Sequence, residues 1–215
     1  MKIRHTIQNI IRYSGLAIIY IAFIFSFCFH ASPKITIAAT DTVTLSTSVQ
    51  SYLSFSITAG DTVTFGDLTP STPICFATGT VASVETNAAN GYTMGLHDGI
   101  SGTDSALVHT DTTTYIADYA GTIATPTDWT GTGLGISNFA ADTSKNAKWG
   151  TGTMVCDANN KYAGIPETAT TAHTVTGYHS GADTSSWSFK VDVPASQKTG
   201  SYSGTVTFTA TAVLS

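Results

Sequence analysis

The sequence predicts an all-β protein, an antiparallel β-sandwich that follows an N-terminal apolar helix. After Thr40, apolar residues recur at every second position in several segments, and Gly, Pro, Asn and Asp interrupt the chain often. A strand with one buried and one solvated face requires this alternation. Several short strands between frequent turns are typical of a sandwich or a barrel, and we favour the sandwich. No segment after Thr40 has a sustained helical period.

Residues 1–39 predict a signal peptide or an N-terminal membrane anchor. Lys2 and Arg4 make the start basic, and residues 16–29, "LAIIYIAFIFSFCF", are apolar and without formal charge. A basic start, an apolar core and small residues near a cleavage point at Ala39 make up an export signal. The apolar run is slightly shorter than the roughly 20 residues of a membrane span. A retained anchor is therefore the alternative to cleavage.

Residues 40–215 predict one domain with an acidic, Thr-rich surface. Thr makes up nearly a fifth of the chain. The domain holds all fourteen acidic residues and five of the nine basic ones, a net charge of −9, and has no Arg. Nucleic acid binding requires a basic surface, so nucleic acid is not an expected partner. The expected contact with a membrane is through residues 16–29 alone, if they are not cleaved.

The clearest predicted strands lie at both ends of this domain. Residues 42–49 alternate apolar and polar side chains, and the same parity continues through residues 53–57. Residues 187–193 alternate with Trp187 on the apolar face, and residues 206–214 alternate with Thr at every second position. Thr suits the solvated face because β-branched side chains fit a pleated surface.

The stretch "ETNAANGYTMGL" predicts a hairpin between two core strands. Asn90 and Gly91 form the dipeptide most typical of a two-residue type I′ turn, which needs positive φ at both positions. Val84 precedes the turn, and the apolar residues of 92–96 follow on one strand face.

The middle of the domain, about residues 99–148, is rich in Gly, Thr and Asp and predicts long loops with short edge strands, such as residues 114–119. Loops on a rigid scaffold often carry recognition, although they also cover sheet edges. Trp129, in "PTDWTGTG", is the predicted exposed aromatic and the candidate ligand contact, because an exposed ring stacks on sugars or anchors a protein partner. Trp149 and Trp187 are predicted to pack in the core.

Cys75 and Cys156 are the cysteines that follow Cys28. Export would place them in an oxidising compartment, which predicts a disulfide between them. Two buried free thiols are the alternative. No second pair of cysteines supports a zinc site, and we expect no cofactor.

Enzyme motifs do not stand out in the sequence. The elbow Gly-x-Ser-x-Gly is absent, since "GSYSG" at 200–204 has Tyr202 in the nucleophile position, and no His-Glu-x-x-His helix exists. The histidines of the domain are scattered over more than 80 residues: His97, His109, His173 and His179. We therefore predict a protein that is not an enzyme.

Calcium is a weaker hypothesis for the middle region. Asp98, Asp104 and Asp111 fall in one loop-rich stretch, and carboxylates are suitable ligands for this ion. Their spacing matches no EF-hand loop, and acidic loop residues are most often simply solvated.

Five segments carry a resemblance to a known kind of protein. They are "VTLSTSVQSYLSFSI" at 43–57, "FGDLTP" at 65–70, "TNAANGYTM" at 86–94, "KWG" at 148–150 and "VPASQKTGSYSGTVTFTATA" at 193–212. Together they resemble secreted bacterial surface proteins with an immunoglobulin-like β-sandwich, including pilin-like and WxL-domain proteins. The chain departs from that pattern because it has no Trp-x-Leu motif and no Leu-Pro-x-Thr-Gly sorting motif. The resemblance therefore does not imply peptidoglycan binding or sortase attachment.

These features predict an exported, non-enzymatic structural or adhesive protein of the extracellular cell surface, with a fibre, pilus-like or surface-matrix subunit as one form of that role. The expected partners are other surface proteins, further copies of the chain or extracellular glycans. Residues 42–49 are a candidate for strand addition to a neighbouring molecule. A secreted carbohydrate-binding module that uses loop aromatics is the alternative, and a secreted hydrolase ranks third.

Overall fold

The computed structural model describes residues 37–214 except Ser144, together with Gly15, Ala17, Ile19, Ala22 and Phe23. Two compact units divide the chain, Met1–Ser48 and Val49–Ser215. Most of the predicted export or anchor segment lies outside the described residues. The five separate positions named above have helical backbone, and residues 37–39 are described as well. The helix of that segment and its cleavage near Ala39 stay predictions. None of the helical positions that the structure describes belongs to a helix with the length and apolar character needed to cross a membrane.

Antiparallel β-structure makes up the second unit, which confirms the predicted all-β class. The strands are β1 (Leu53–Ala59), β2 (Ile74–Cys75), β3 (Thr80–Thr86), β4 (Tyr92–His97), β5 (Asp104–His109), β6 (Tyr115–Ala117), β7 (Gly133–Ala141), β8 (Thr170–Val175), β9 (Ala182–Asp192), β10 (Tyr202–Ser203) and β11 (Thr207–Ala212). A 3₁₀ turn, Ala147–Trp149, follows β7.

The largest sheet is built around β9. Strand β7 pairs with one edge of β9, and β3 and β2 pair with successive parts of the other edge, while β1 pairs with β3. Two smaller sheets have the orders β11–β4–β8 and β10–β5–β6. In the sequence, β5 follows β4 and β11 follows β10. Each of these two consecutive pairs of strands therefore contributes one strand to each of the two small sheets.

One hydrophobic core unites side chains from the large sheet and from β4. Trp149 and Trp187 are both 0% exposed, as predicted, and their ring centroids lie 5.7 Å apart in an edge-to-face arrangement. Trp187 also lies 5.7 Å from the ring of Phe208 on β11. Edge-to-face pairs of this kind stabilise a core by about 0.5–1.5 kcal/mol beyond their buried area.

Several predicted strands agree with the structure. The alternation at 53–57 lies in β1, that at 187–193 lies mostly in β9, and that at 206–214 contains β11. By contrast, residues 42–49 form no strand and are exposed, so the strand predicted there is wrong. Their alternation gives them an apolar face, but the described residues pair no strand with them.

The hairpin predicted at Asn90–Gly91 is also wrong. The strands on either side belong to different sheets, because β3 pairs with β1 and β9, whereas β4 pairs with β11 and β8. Gly91 has φ of 81°, but Asn90 does not have the positive φ that a type I′ turn requires. The dipeptide therefore carries the chain from one sheet to another, and the apolar residues of 92–96 are buried as expected.

The middle region is more ordered than the prediction of loops and short edge strands. Strand β6 confirms the short candidate at 114–119, but β7 is a nine-residue strand of the large sheet with its first six residues buried. The face of β7 opposite Ile136 carries only small residues at Gly133, Gly135 and Ser137. Because these residues lack the bulky side chains typical of a strand, the sequence pattern indicated a loop.

Candidate functional site

Trp129, the predicted ligand contact, lies in an aromatic cluster with Tyr119, Tyr162 and Lys190. Its ring stacks on Tyr119 with centroids 4.4 Å apart and planes 9° apart, and Tyr162 meets it edge-on at 5.3 Å. The Lys190 ammonium lies 5.0 Å from the Trp129 centroid. Trp129 is half-buried, so the open exposure that we predicted for it is wrong. Its part in ligand binding stays a prediction.

The aromatic cluster packs against β7 and β9 of the large sheet. Gly135 on β7 pairs with Lys190 on β9, and a Cβ at Gly135 would lie 2.8 Å from Cζ3 of Trp129. Glycine is therefore required here by close packing rather than by backbone conformation. Burial lowers the pKa of Lys190, and the nearby Asp192 carboxylate opposes this shift.

Cys75 and Cys156 form the predicted disulfide, with their Cα atoms 5.9 Å apart. This separation lies within the usual range for the bond. Cys75 pairs with Lys190 across β2 and β9, and its Sγ lies 3.9 Å from the Tyr162 hydroxyl. The disulfide thus fastens the loop that contains Cys156 to the sheet face beside the aromatic cluster.

Two of the three aspartates considered for calcium, Asp111 and Asp98, have different hydrogen-bond partners. Asp111 accepts hydrogen bonds from Lys198 Nζ and Thr114 Oγ1, both at 2.7 Å, and the Lys198 ammonium in particular holds the pKa of Asp111 well below its usual range. Asp98 instead accepts from the Ile100 N–H, and burial raises its pKa. The described part of the chain contains no group of three or more metal-ligating side chains.

A cleft of about 390 Å³ lies beside Tyr119 and contains Asp118, a residue that the sequence did not single out. Its carboxylate accepts a hydrogen bond of 3.0 Å from the Ile165 N–H. Burial raises the pKa of Asp118 to about 7, against that hydrogen bond, and the charges of Asp98 and Asp104 add to the rise. Backbone from Gly102, Gly121 and Gly164 lines the same cleft. Asp118 stands between Ala117 and Tyr119 in the sequence, and neither neighbour indicates that its carboxyl group is buried.

Two of the histidines, His109 and His173, are buried. His109 Nδ1 accepts from the Asp111 N–H at 3.1 Å, so Nε2 carries the proton and donates to the Thr199 carbonyl at 3.2 Å. His173 is buried, with its ring 6.1 Å from that of Tyr92, and burial lowers its pKa.

A second cavity, which we call the side groove, has a volume of about 740 Å³. It is lined by residues 63–68, which follow β1, and by residues 197–204, which include β10. Its lining includes the charged side chains Asp67 and Lys198 as well as apolar ones: Val63, Phe65, Leu68, Pro70, Leu107, Ile116 and Val193. Val63, Phe65 and Leu68 pack against the core but are only partly buried. The groove could not be predicted from a local sequence pattern, because its two walls lie far apart in the chain.

Residues 42–49, which we call the N-terminal segment, expose apolar side chains. Val43, Leu45 and Val49 are 84%, 90% and 83% exposed. Single exposed apolar residues are common on protein surfaces, but three in strand phase within eight residues form an apolar stripe.

No protein-family model matches the chain, and a search of curated proteins found no match.

Proposed function

We propose that this chain is an exported, non-enzymatic protein of the bacterial cell surface with a structural or adhesive role. The observation that carries the proposal is the disulfide between Cys75 and Cys156, which joins β2 to a distant loop. Disulfides persist in oxidising, extracytoplasmic compartments and are rare in the cytoplasm. The basic and apolar start of the sequence supports the same location.

We propose further that the sheets form an immunoglobulin-like β-sandwich. Trp187 of the large sheet packs on Phe208 of β11, and Tyr92 of β4 hydrogen-bonds Asp183 of β9, so the large sheet and the β11–β4–β8 sheet share one interior. The outer face of β11 carries exposed Thr207, Thr209 and Thr211. A sheet with one core face and one solvated Thr face suits an extracellular scaffold.

Surface labelling of intact cells tests this location. A membrane-impermeant amine reagent should modify the lysines of residues 145–198 before lysis, while a cytoplasmic protein in the same sample stays unmodified. Labelling of this chain only after lysis would contradict export.

A carbohydrate-binding role is the second candidate, and the cleft beside Tyr119 is the observation that favours it. Ala124 lines this cleft and is exposed, so Ala124→Arg blocks it without touching Trp129. If the cleft binds glycans, the protein binds a glycan array and Ala124→Arg loses this binding, whereas the exposed control Ala158→Arg retains it. Equal binding by both variants would dismiss the cleft as the glycan site.

A further inference from the structure

The two cysteines of the disulfide differ in their access to solvent. Cys156 lies in a loop and is exposed, whereas Cys75 is partly buried in β2. A thiolate breaks a disulfide by attack on one of its two sulfurs, and access decides which sulfur reacts. Cys156 is therefore the sulfur that an external thiol reaches.

Cys75 has two groups beside it that stabilise a thiolate. It lies directly opposite Lys190 in the pairing of β2 with β9, so the two side chains leave the same face of the sheet. The Tyr162 hydroxyl donates to Cys75 Sγ at 3.9 Å, and the Lys190 ammonium lies 5.4 Å from the centroid of the Tyr162 ring. A nearby ammonium and a hydroxyl donor both favour the charged form of a thiol. Cys75 is therefore the better leaving group of the two cysteines.

The backbone of Cys156 adds to the reactivity of the bond. Its φ is 63°, in the left-handed region that favours glycine and is rarely adopted by a residue with a Cβ atom. A residue keeps such a conformation only when its surroundings impose it. The bond to Cys75 is a covalent restraint on Cys156, so its cleavage allows the backbone to relax. Exposed and strained disulfides are the ones that exchange most readily.

The loop that carries Cys156 has further anchors. Asn160, which is 1% exposed, donates from Nδ2 to the Met154 carbonyl at 2.9 Å and from its backbone N–H to the Asp157 carbonyl at 3.1 Å. These bonds do not depend on the disulfide, so they keep the loop beside the sheet after the bond opens. Cys75 can then attack Cys156 again and restore the original disulfide.

We propose that Cys156 is a site of thiol–disulfide exchange, at which the thiolate of a partner becomes linked to the chain. The partner's sulfur forms a bond to Cys156 Sγ, the bond between Cys156 and Cys75 breaks, and Cys75 leaves as a thiolate beside Lys190. The step needs no oxidant or reductant besides the thiol itself, because one disulfide replaces another. This activity goes beyond the structural or adhesive role proposed above and gives the chain a reversible point of covalent attachment.

Mapping of adducts on the folded protein tests the proposal. The full chain, expressed with its export segment and purified with its disulfide intact, is treated with an uncharged peptide that contains one cysteine, and separately with glutathione. Acid stops the exchange by protonating the thiolates, and mass spectrometry locates the adduct. We expect at least about ten times more adduct on Cys156 than on Cys75 in the folded protein, and similar amounts on both in urea, where the fold shields neither sulfur.

The two probes distinguish the sources of the thiol. An adduct with the peptide alone supports a polypeptide partner, an adduct with glutathione alone supports a small thiol, and adducts with both support any accessible thiol. A folded protein that gives no adduct with either probe, or that gives the same distribution as in urea, would overturn the proposal.

The assistance by Lys190 has a test of its own. Lys190→Met removes the ammonium and should slow formation of the Cys156 adduct about tenfold, whereas Lys190→Arg keeps the charge and should recover most of the rate. The control Lys198→Met removes an ammonium that pairs with Asp111 and should react like the wild type. The thermal midpoint of each variant, measured with the disulfide intact, separates a slower exchange from a loss of the fold. Wild-type rates in a folded Lys190→Met would contradict the stabilisation of the Cys75 thiolate by Lys190.

The two proposals fail in different ways. Protein that is labelled on intact cells but forms no adduct overturns the exchange and leaves the surface role standing. Protein that forms the Cys156 adduct but is labelled only after lysis overturns the surface role and leaves the exchange standing.

Discussion

The Tyr92 hydroxyl on β4 donates a 2.6 Å hydrogen bond to the Asp183 carboxylate on β9, and both residues are about 1% exposed. This bond joins the β11–β4–β8 sheet to the large sheet inside the core. Burial, together with the Asp183 carboxylate, raises the pKa of Tyr92, so the phenol remains a proton donor throughout the physiological range. The bond favours this arrangement of the two sheets, because the Tyr92 hydroxyl and Asp183 Oδ2 are buried and each has the other as its partner.

Removal of this bond should cost stability. Tyr92→Phe keeps the ring but leaves a buried carboxylate without its donor, and should lower the free energy of unfolding by about 1–3 kcal/mol. Urea unfolding with the disulfide intact measures the loss. Tyr178→Phe removes a hydroxyl from an exposed ring and should change stability by less than about 0.5 kcal/mol. Equal effects of the two variants would show that the Tyr92–Asp183 bond contributes nothing.

The disulfide should dominate resistance to unfolding. Its cysteines are 81 residues apart, and in the chain-entropy model the cross-link contributes roughly 4–5 kcal/mol. Reductant should therefore lower the thermal midpoint of the wild type. The variant C75A/C156A should already have this lower midpoint and should not respond to reductant. A wild-type midpoint that is insensitive to complete reduction would contradict this prediction.

Close packing at Gly135 should make that position intolerant of a methyl group. Gly135→Ala places Cβ against Trp129 and should destabilise the protein by about 1–3 kcal/mol through overpacking. In a Trp129→Ala background the same substitution should cost less, because the clashing ring is gone. A double-mutant cycle measured by urea unfolding gives this coupling, and strictly additive effects would show that Trp129 does not impose the glycine.

Asp118 should make stability depend on pH. The pKa of Asp118 is raised from 3.8 to about 7 in the folded state. Between these two pH values the folded chain keeps a proton on Asp118, whereas the unfolded chain has lost it. The stability that Asp118 contributes is present below about pH 4 and is lost as the pH rises through about 7. Asp118→Asn should therefore gain stability relative to the wild type between pH 4 and pH 7. The exposed control Asp61→Asn should follow the wild-type profile, and a parallel profile for Asp118→Asn would refute the shift.

The sequence predicted strands well where their two faces differ in chemistry. In β9 the buried Trp187 alternates with Ser186 and Ser188, and in β11 Phe208 alternates with Thr. Strand β7 escaped prediction because both of its faces are covered. Gly135 packs against the Trp129 ring, and a glycine that close packing requires interrupts the apolar alternation by which a strand is predicted.

Pairing, in contrast, cannot be read from a local pattern. Residues 42–49 have the same alternation as β1, yet β1 has β3 beside it and the N-terminal segment has no strand partner among the described residues. Asn90–Gly91 marks a reversal of the chain, but whether the next strand pairs with the last one or crosses to another sheet depends on contacts with β11. The side groove likewise arises from walls that only the fold brings together.

Peptide mapping of the protein isolated from its own cells without reduction tests the central claim most directly. If the chain is an exported surface protein, the peptides that contain Cys75 and Cys156 are recovered linked to each other, from the surface or secreted fraction. Recovery of both cysteines as free thiols, in a chain that fractionates with the cytoplasm, would contradict the account.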